Sequence, residues 1–259
     1  MRYSRWIPSA LTCLFALDLA RGEEIAGSQE ALKIGAYYYP WYSAAEKGEI
    51  GWMSKALRGR VKPRQLPQLG VYGSRDPEVI GEHISQSVHA GIDFWAVSWW
   101  GPGRREDRCF KEQILTHPDA PKLKYALLYE STGRLGSMRD PSYANLLDDF
   151  AYMREHYFDQ PQYLRIDGKA VVFIYLTRVY FRDRGREPLS RLRKAHPDLY
   201  LVGDEVFGPR YHERHARLWD AVTAYDVYGQ SMKIDGATQE ALKRLHHNFA
   251  NAKRVANSV

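Results

Sequence analysis

A chain of 259 residues that is 44% hydrophobic, 13% aromatic and 26% charged can bury a large core and lacks the composition of a disordered tail. Its formal charge of +6 arises from 37 basic residues scattered among 31 carboxylates, without the clustered basic block of a nucleic-acid-binding surface. Past the amino terminus no charge-free apolar run reaches the roughly 18 residues that would span a bilayer as a helix, and 18 Tyr with 7 Trp point to a recessed aromatic site suited to sugars or nucleobases.

Residues 1–22 carry Arg2 and Arg5, a mostly apolar stretch from 7 to 20, and Ala20-Arg21-Gly22 in front of Glu23. This is the pattern of a secretory signal peptide, with a buried amino-terminal helix as the alternative because Asp18 interrupts the apolar stretch. The expectation is a signal over 1–22 and one domain over 23–259, secreted or periplasmic. Removal of the signal takes Cys13 with it and leaves Cys109 as the one thiol. That excludes an internal disulfide and a cysteine-based zinc site.

From residue 33 the chain alternates short β-branched and aromatic runs with longer amphipathic ones. Strands are expected near 33–39, 92–98, 124–129, 170–176, 199–203 and 220–225. Between the first two, Asp76 can cap a helix that Pro77 opens and Gly91 closes, with Ile80, Ile84 and Val88 on one face. Asp140-Pro141 repeats that start ahead of Leu146, Leu147, Phe150 and Met153. A last helix carries Leu242, Leu245, Phe249, Ala252 and Ala256 at helical spacing. Nearly continuous apolar strands alternating with helices imply a parallel sheet under helices. A dinucleotide-binding sheet is disfavoured, because neither the turn after the first strand nor Gly101-Pro102-Gly103 has the glycine spacing of a pyrophosphate loop. The expected fold is therefore α/β, an incomplete (β/α)8 TIM-type barrel of about six strand-helix units. Barrel sites form at the carboxyl ends of strands, which places Tyr39 and Trp41, Trp99 and Trp100, Tyr129 and Glu130, Asp204 and Glu205, and Tyr225 to Tyr228 around the mouth.

The segments YYYPWY (37–42), GVYGSRDPEVI (70–80), GIDFWAVSWWGPG (91–103) and LLYES (127–131), in this order, resemble glycoside hydrolase family 99, whose members are endo-acting α-mannosidases and α-mannanases on a (β/α)8 barrel. YLRIDGKAVVFIY (163–175) continues the resemblance. By this resemblance Tyr39, Trp41 and Tyr42 form an aromatic wall after the first strand, Trp52 stands in the long first loop, Trp99 and Trp100 end the second strand, and Glu130 lies near the reacting sugar. The family's two acid/base glutamates belong to an Asn-Glu-Trp-His-Glu stretch, which this sequence does not contain. The resemblance thus implies an α-mannoside glycan as partner, no metal and no organic cofactor, and a chain that ends two strands short of a full barrel.

Glycoside cleavage usually takes two carboxyl groups. Glu130 with Glu205 is one candidate catalytic pair at the strand ends. The alternative is that Glu130, Asp204 and Glu205 only orient hydroxyls or brace the barrel. Asp204, Tyr129 and Tyr228 join the aromatic residues as candidate sugar contacts. Two functions stay open, an endo-α-mannosidase-type hydrolase and a non-catalytic glycan-binding module. His212-Glu213-Arg214-His215 lacks the spacing of a zinc-protease motif and reads as a solvated helix or loop, and the basic residues from Arg178 to Lys194 read as the outer face of a helix and its loop.

Overall fold

The computed structural model describes residues 33–43, 50–51, 67–205, 211, 213–225 and 239–256, all within one compact unit, Lys33–Val259. The signal segment 1–22, Trp52, His212, Tyr228 and most of the loop between Ser43 and Arg75 lie outside the described residues.

Six parallel strands form the sheet: β1 (Gly35–Tyr38), β4 (Phe94–Trp99), β5 (Lys124–Tyr129), β7 (Lys169–Ile174), β8 (Leu199–Asp204) and β9 (Ala221–Thr223). They lie side by side in that order. Two short strands, β2 (Tyr42–Ser43) and β3 (Ile50–Gly51), pair apart from the sheet, and β6 (Arg165–Ile166) makes a hairpin with β7. Each parallel step is crossed by helical chain: α1 (Pro77–His89), α2 (Arg105–Cys109), α3 (Ser131–Arg134), α4 (Leu146–Met153), α5 (Thr177–Tyr180), α6 (Arg186–Ala195) and α7 (Glu213–Ala216). This is an incomplete (β/α)8 barrel, as the strand-helix alternation predicts. Among the described residues β1 and β9 are not paired.

The sheet is apolar on both faces, which suits parallel strands covered by helices. Trp95, Val97 and Trp99 of β4, Tyr125, Leu127 and Tyr129 of β5, and Val172 and Ile174 of β7 point outward into the main core. Ile80 and Ile84 of α1 and Phe150 and Met153 of α4 join them there. The alternate residues Phe94, Ala126, Val171, Phe173 and Val202 form a second cluster on the inner face. The ring of Tyr37 on β1 meets Phe173 of β7 at 6.0 Å, so the sheet curls until its inner face meets itself.

Helix α1 follows its sequence signals. Asp76 accepts from Glu78 N at 3.0 Å, Pro77 stands in the first turn, and Gly91 takes the left-handed φ of +71° beyond the last turn. Three sequence expectations need correction. Val88 is exposed rather than part of the α1 stripe. Asp140-Pro141 does not open α4, which starts at Leu146 after Asn145 with no side-chain cap. In the last helix (Gln239–Ala256) Ala252 and Val255 are buried while Phe249 is exposed.

Candidate functional site

Continuing the β4/β5, β5/β7 and β7/β8 registers one residue past Trp99↔Tyr129, Tyr129↔Ile174 and Ile174↔Gly203 sets Trp100, Glu130, Tyr175 and Asp204 in one layer on the inner side of the sheet. Glu130 is its centre. It is 4% exposed, its Oε1 accepts from Ser98 Oγ at 2.7 Å, and Trp100 Nε1 donates to the same Ser98 oxygen at 3.0 Å. Burial raises the Glu130 carboxyl to about 7, against the pull of the Ser98 bond, and the charges of Glu106 and Asp204 add to the rise.

An aromatic wall stands beside it. Tyr39 stacks on Trp41 at 4.5 Å, Trp41 faces Trp100 at 6.3 Å, and Tyr42 meets Trp41 edge-on at 6.3 Å. Tyr39 OH donates to Tyr225 OH at 2.7 Å, and Tyr225 also meets Tyr37 at 5.1 Å and Tyr175 at 4.9 Å. The mouth is thus bridged by tyrosines across the β1 and β9 ends, which are not paired among the described residues. Burial raises the hydroxyls of Tyr37 and Tyr175 to about 12, so both are neutral donors at physiological pH.

Asp204 is a clamp. Its carboxylate accepts from Leu176 N at 2.9 Å, Tyr225 N at 2.9 Å and Arg178 Nη1 at 3.0 Å, which ties the ends of β7, β8 and β9 together. Leu176 sits at φ +52°, a left-handed conformation costing a side-chain-bearing residue about 1–2 kcal/mol, and the bond to Asp204 helps to hold it. Burial raises the Asp204 carboxyl, opposed by these donors. Arg178 therefore belongs to the mouth and not to the solvated basic stretch.

Three sequence candidates leave the layer. Trp99 is fully buried on the helix-facing side, stacked on Tyr129 at 6.0 Å, with its Nε1 donating to Asp107 Oδ1 at 2.8 Å. Tyr129 points the same way and donates to Asp149 at 2.9 Å. Glu205 faces outward too, its Oε1 lying 2.9 Å from Thr177 Oγ1 and accepting from Trp219 Nε1 at 3.3 Å. The reason is strand geometry: consecutive residues face opposite sides, so one member of each of the pairs Trp99/Trp100, Tyr129/Glu130 and Asp204/Glu205 faces away from the mouth. Tyr39, Trp41, Tyr42, Trp100, Glu130 and Asp204 are brought together. Sequence reasoning missed Ser98, Tyr175 and Arg178; Ser98, a lone polar residue in FWAVSW, is the signal that fixes which face of β4 is inward. His215, expected in a solvated segment, is buried.

Asp107 organises the loop that carries Trp100. Besides Trp99 it accepts from Gly103 N at 2.8 Å, from Tyr152 OH at 2.7 Å and from Tyr157 OH. Gly133 lets Trp100 lie close, since a Cβ there would stand 2.5 Å from the indole. No group of His, Cys, Asp and Glu among the described residues is arranged to hold a metal ion, and no helix among them is long and apolar enough to cross a membrane.

The profile of glycosyl hydrolase family 99 matches residues 53–183. The human glycoprotein endo-alpha-1,2-mannosidase-like protein is 35% identical over 92 residues, covering 28% of this chain and 20% of its own length. Rat glycoprotein endo-alpha-1,2-mannosidase is 28% identical over 153 residues, 51% of this chain and 33% of its own length. The chain therefore spans a third or less of these curated relatives. The GH99 endo-alpha-mannosidase structure from Bacteroides thetaiotaomicron, in complex with bis-tris-propane, is similar with a TM-score of 0.61 over 87% of this chain and 66% of that one, at 20% identity; this likeness is one of fold.

Proposed function

Because the chain belongs to glycosyl hydrolase family 99, we propose that the strand-end layer is an α-mannoside cleft of the endo-α-mannosidase type. In this reading Tyr39, Trp41 and Trp100 receive the C–H face of a pyranose, and Glu130 bonds its hydroxyls or moves a proton at the glycosidic oxygen. The observation that carries it is Glu130 itself: one oxygen is held by Ser98, the other has no protein partner among the described residues, and the carboxyl is raised to about 7. A carboxyl that exchanges its proton near neutrality is what general acid/base chemistry uses.

Hydrolysis takes a second carboxyl group. Asp204 is occupied by two amides and a guanidinium, and Glu205 faces the helices. Neither complements Glu130, which favours glycan binding without turnover by the described residues as the second reading. Titration with α-1,2-mannobiose, followed by tryptophan fluorescence, tests the cleft; an unchanged spectrum at millimolar sugar refutes it. Trp100→Ala is expected to weaken binding on the order of tenfold, the worth of one stacking contact. Product release that disappears in Glu130→Gln identifies a hydrolase, and binding without product identifies the module. The amino-terminal pattern extends the proposal to a single exported domain over 23–259, tested by whether the exported product begins at Glu23.

A further inference from the structure

Beside Trp100 lies a cavity of about 580 Å³ lined by Arg75, Trp100, Arg104, Arg105, Glu106 and Arg108, with Gly103 and Gly133 completing its wall. Four guanidiniums against one carboxylate give it a strong positive bias. Two are anchored by the protein: Arg105 donates to the Trp41 carbonyl at 2.9 Å, and Arg75 reaches Glu112 at 3.4 Å and Gln113 at 3.3 Å. The other two, Arg104 and Arg108, make no ion pair among the described residues. They stand one helical turn apart, with Arg108 N donating to the Arg104 carbonyl at 2.9 Å. Both are exposed at the rim of the recess, and like charges at this spacing repel weakly, a repulsion that an anion lying between them turns into attraction.

The loop's backbone is not the anion receptor. Gly103 N donates to Asp107 and Arg104 N to the Gly101 carbonyl, which leaves recognition to the guanidinium forks. Such forks match a tetrahedral oxyanion, with two donors to two oxygens. The cavity shares Trp100 with the mannoside cleft, and the charge of Glu106, on its wall, reaches Glu130. One occupant can therefore fill both.

We propose that this cavity takes a phosphate or sulfate ester carried by a sugar of the glycan whose neighbouring ring lies against Trp100. The proposal rests on the α-mannoside reading above. Glu106 is suited to a hydroxyl of the same sugar, and its single negative charge discriminates against a ligand with anions on both sides.

The test is a binding series with α-mannobiose, 6-phospho-α-mannobiose, 6-sulfo-α-mannobiose and inorganic phosphate, by calorimetry at low and at physiological salt. The phosphorylated disaccharide is expected to bind on the order of tenfold or more tighter than the plain one, the difference narrowing as salt rises. Arg104→Gln/Arg108→Gln is expected to bring the two affinities together, while Arg191→Gln, on the exposed face of α6, preserves the difference. A sulfo ester that matches the phospho ester shows that oxyanion geometry suffices. Equal affinities for plain and charged disaccharides overturn the inference while leaving the mannoside cleft standing. Inorganic phosphate binding as tightly as the ester overturns the glycan assignment, and failure of every disaccharide to bind overturns both readings.

Discussion

Glu205 offers a test in which the sign is fixed by the structure. Its carboxyl is 3% exposed and shares Thr177 with the Asp204 carbonyl. Thr177 Oγ1 lies 2.6 Å from that carbonyl and 2.9 Å from Glu205 Oε1. A hydroxyl has one proton and a carbonyl can only accept. Thr177 therefore donates to Asp204, and the contact with Glu205 is satisfied when Glu205 is protonated and donates to Thr177. Burial independently raises this carboxyl from 4.5 to about 7, with the bond from Trp219 opposing and the charge of Asp204 adding. Between about pH 4.5 and 7 the folded chain holds this proton while the unfolded chain has lost it. The folded state binds more protons there, so stability falls as pH rises through the window, to a deficit of about 3 kcal/mol above it.

Glu205→Gln supplies a neutral side chain with a permanent donor for Thr177. At pH 5 the variant and the parent should be within about 1 kcal/mol of each other; at pH 8 the variant should be more stable by about 2–3 kcal/mol, the deficit that ionisation imposes on the parent. Urea unfolding at pH 5, 6, 7 and 8 reads this as a midpoint difference that grows to about 1 M. Glu130, raised in the same way, and His83 and His196, lowered by burial, tilt both chains alike and cancel in the difference. A midpoint difference that does not change with pH, or a variant less stable at pH 8, refutes the neutral Glu205. Retention of mannobiose binding by the variant is expected as well, because this side chain faces the helices.

Asp107→Ala strands four donors, those of Trp99, Gly103, Tyr152 and Tyr157, and should cost about 3–5 kcal/mol in urea unfolding, against about 1 kcal/mol for Tyr152→Phe. Gly133→Ala places a Cβ 2.5 Å from the Trp100 ring; it should shift Trp fluorescence and weaken mannobiose binding severalfold with a stability change of about 1 kcal/mol or less, alanine being the better helix former. Arg178→Met removes the guanidinium from Asp204 and should lower stability at pH 7 by about 2–4 kcal/mol. That loss should shrink toward acid pH, because the abandoned carboxyl rises further and is neutralised by protonation; a loss independent of pH counts against the ion pair as its cause.

The strand ladder was legible because each run is apolar throughout and bounded by polar or glycine-rich chain. The expected strand 124–129 coincides with Lys124–Tyr129, and the expected 199–203 falls one residue short of Leu199–Asp204. The same uniformity hid the phase. A strand that is apolar on both faces does not say which of two neighbours turns inward, so the sequence places Trp99, Tyr129 and Glu205 at the mouth beside Trp100, Glu130 and Asp204. Arg178 was hidden for another reason. Its partner Asp204 lies 26 residues on, and only the β7/β8 pairing brings them together; locally it is one arginine among several. The missed helix start at Asp140-Pro141 shows that a cap signal needs the apolar stripe to begin within a turn, and here the stripe begins at Leu146.

How the mouth holds its shape follows from the same geometry. Within the sheet, β4 and β5 share six register pairs and β7 and β8 five, whereas β1 and β9 meet through side chains. Tyr39 donates to Tyr225, and the Tyr225 ring contacts Tyr37 and Tyr175. One neutral hydrogen bond and two edge-on ring contacts amount to about 2–4 kcal/mol, comparable to the loss of a single large core side chain. Below them the inner face leaves a cavity of about 200 Å³ lined by Tyr37, Phe94, Ala96, Phe173 and Thr223, so the tyrosine bridge is not underpinned by tight packing. By contrast the Glu130 side of the mouth rests on Ser98, on the bidentate Arg134–Asp149 pair behind Tyr129 and on the Asp107 cluster. Glu130 and Trp100 thus stand on the stiff half of the layer, and the wall formed by Tyr39 and Tyr225 is the half whose rearrangement costs least.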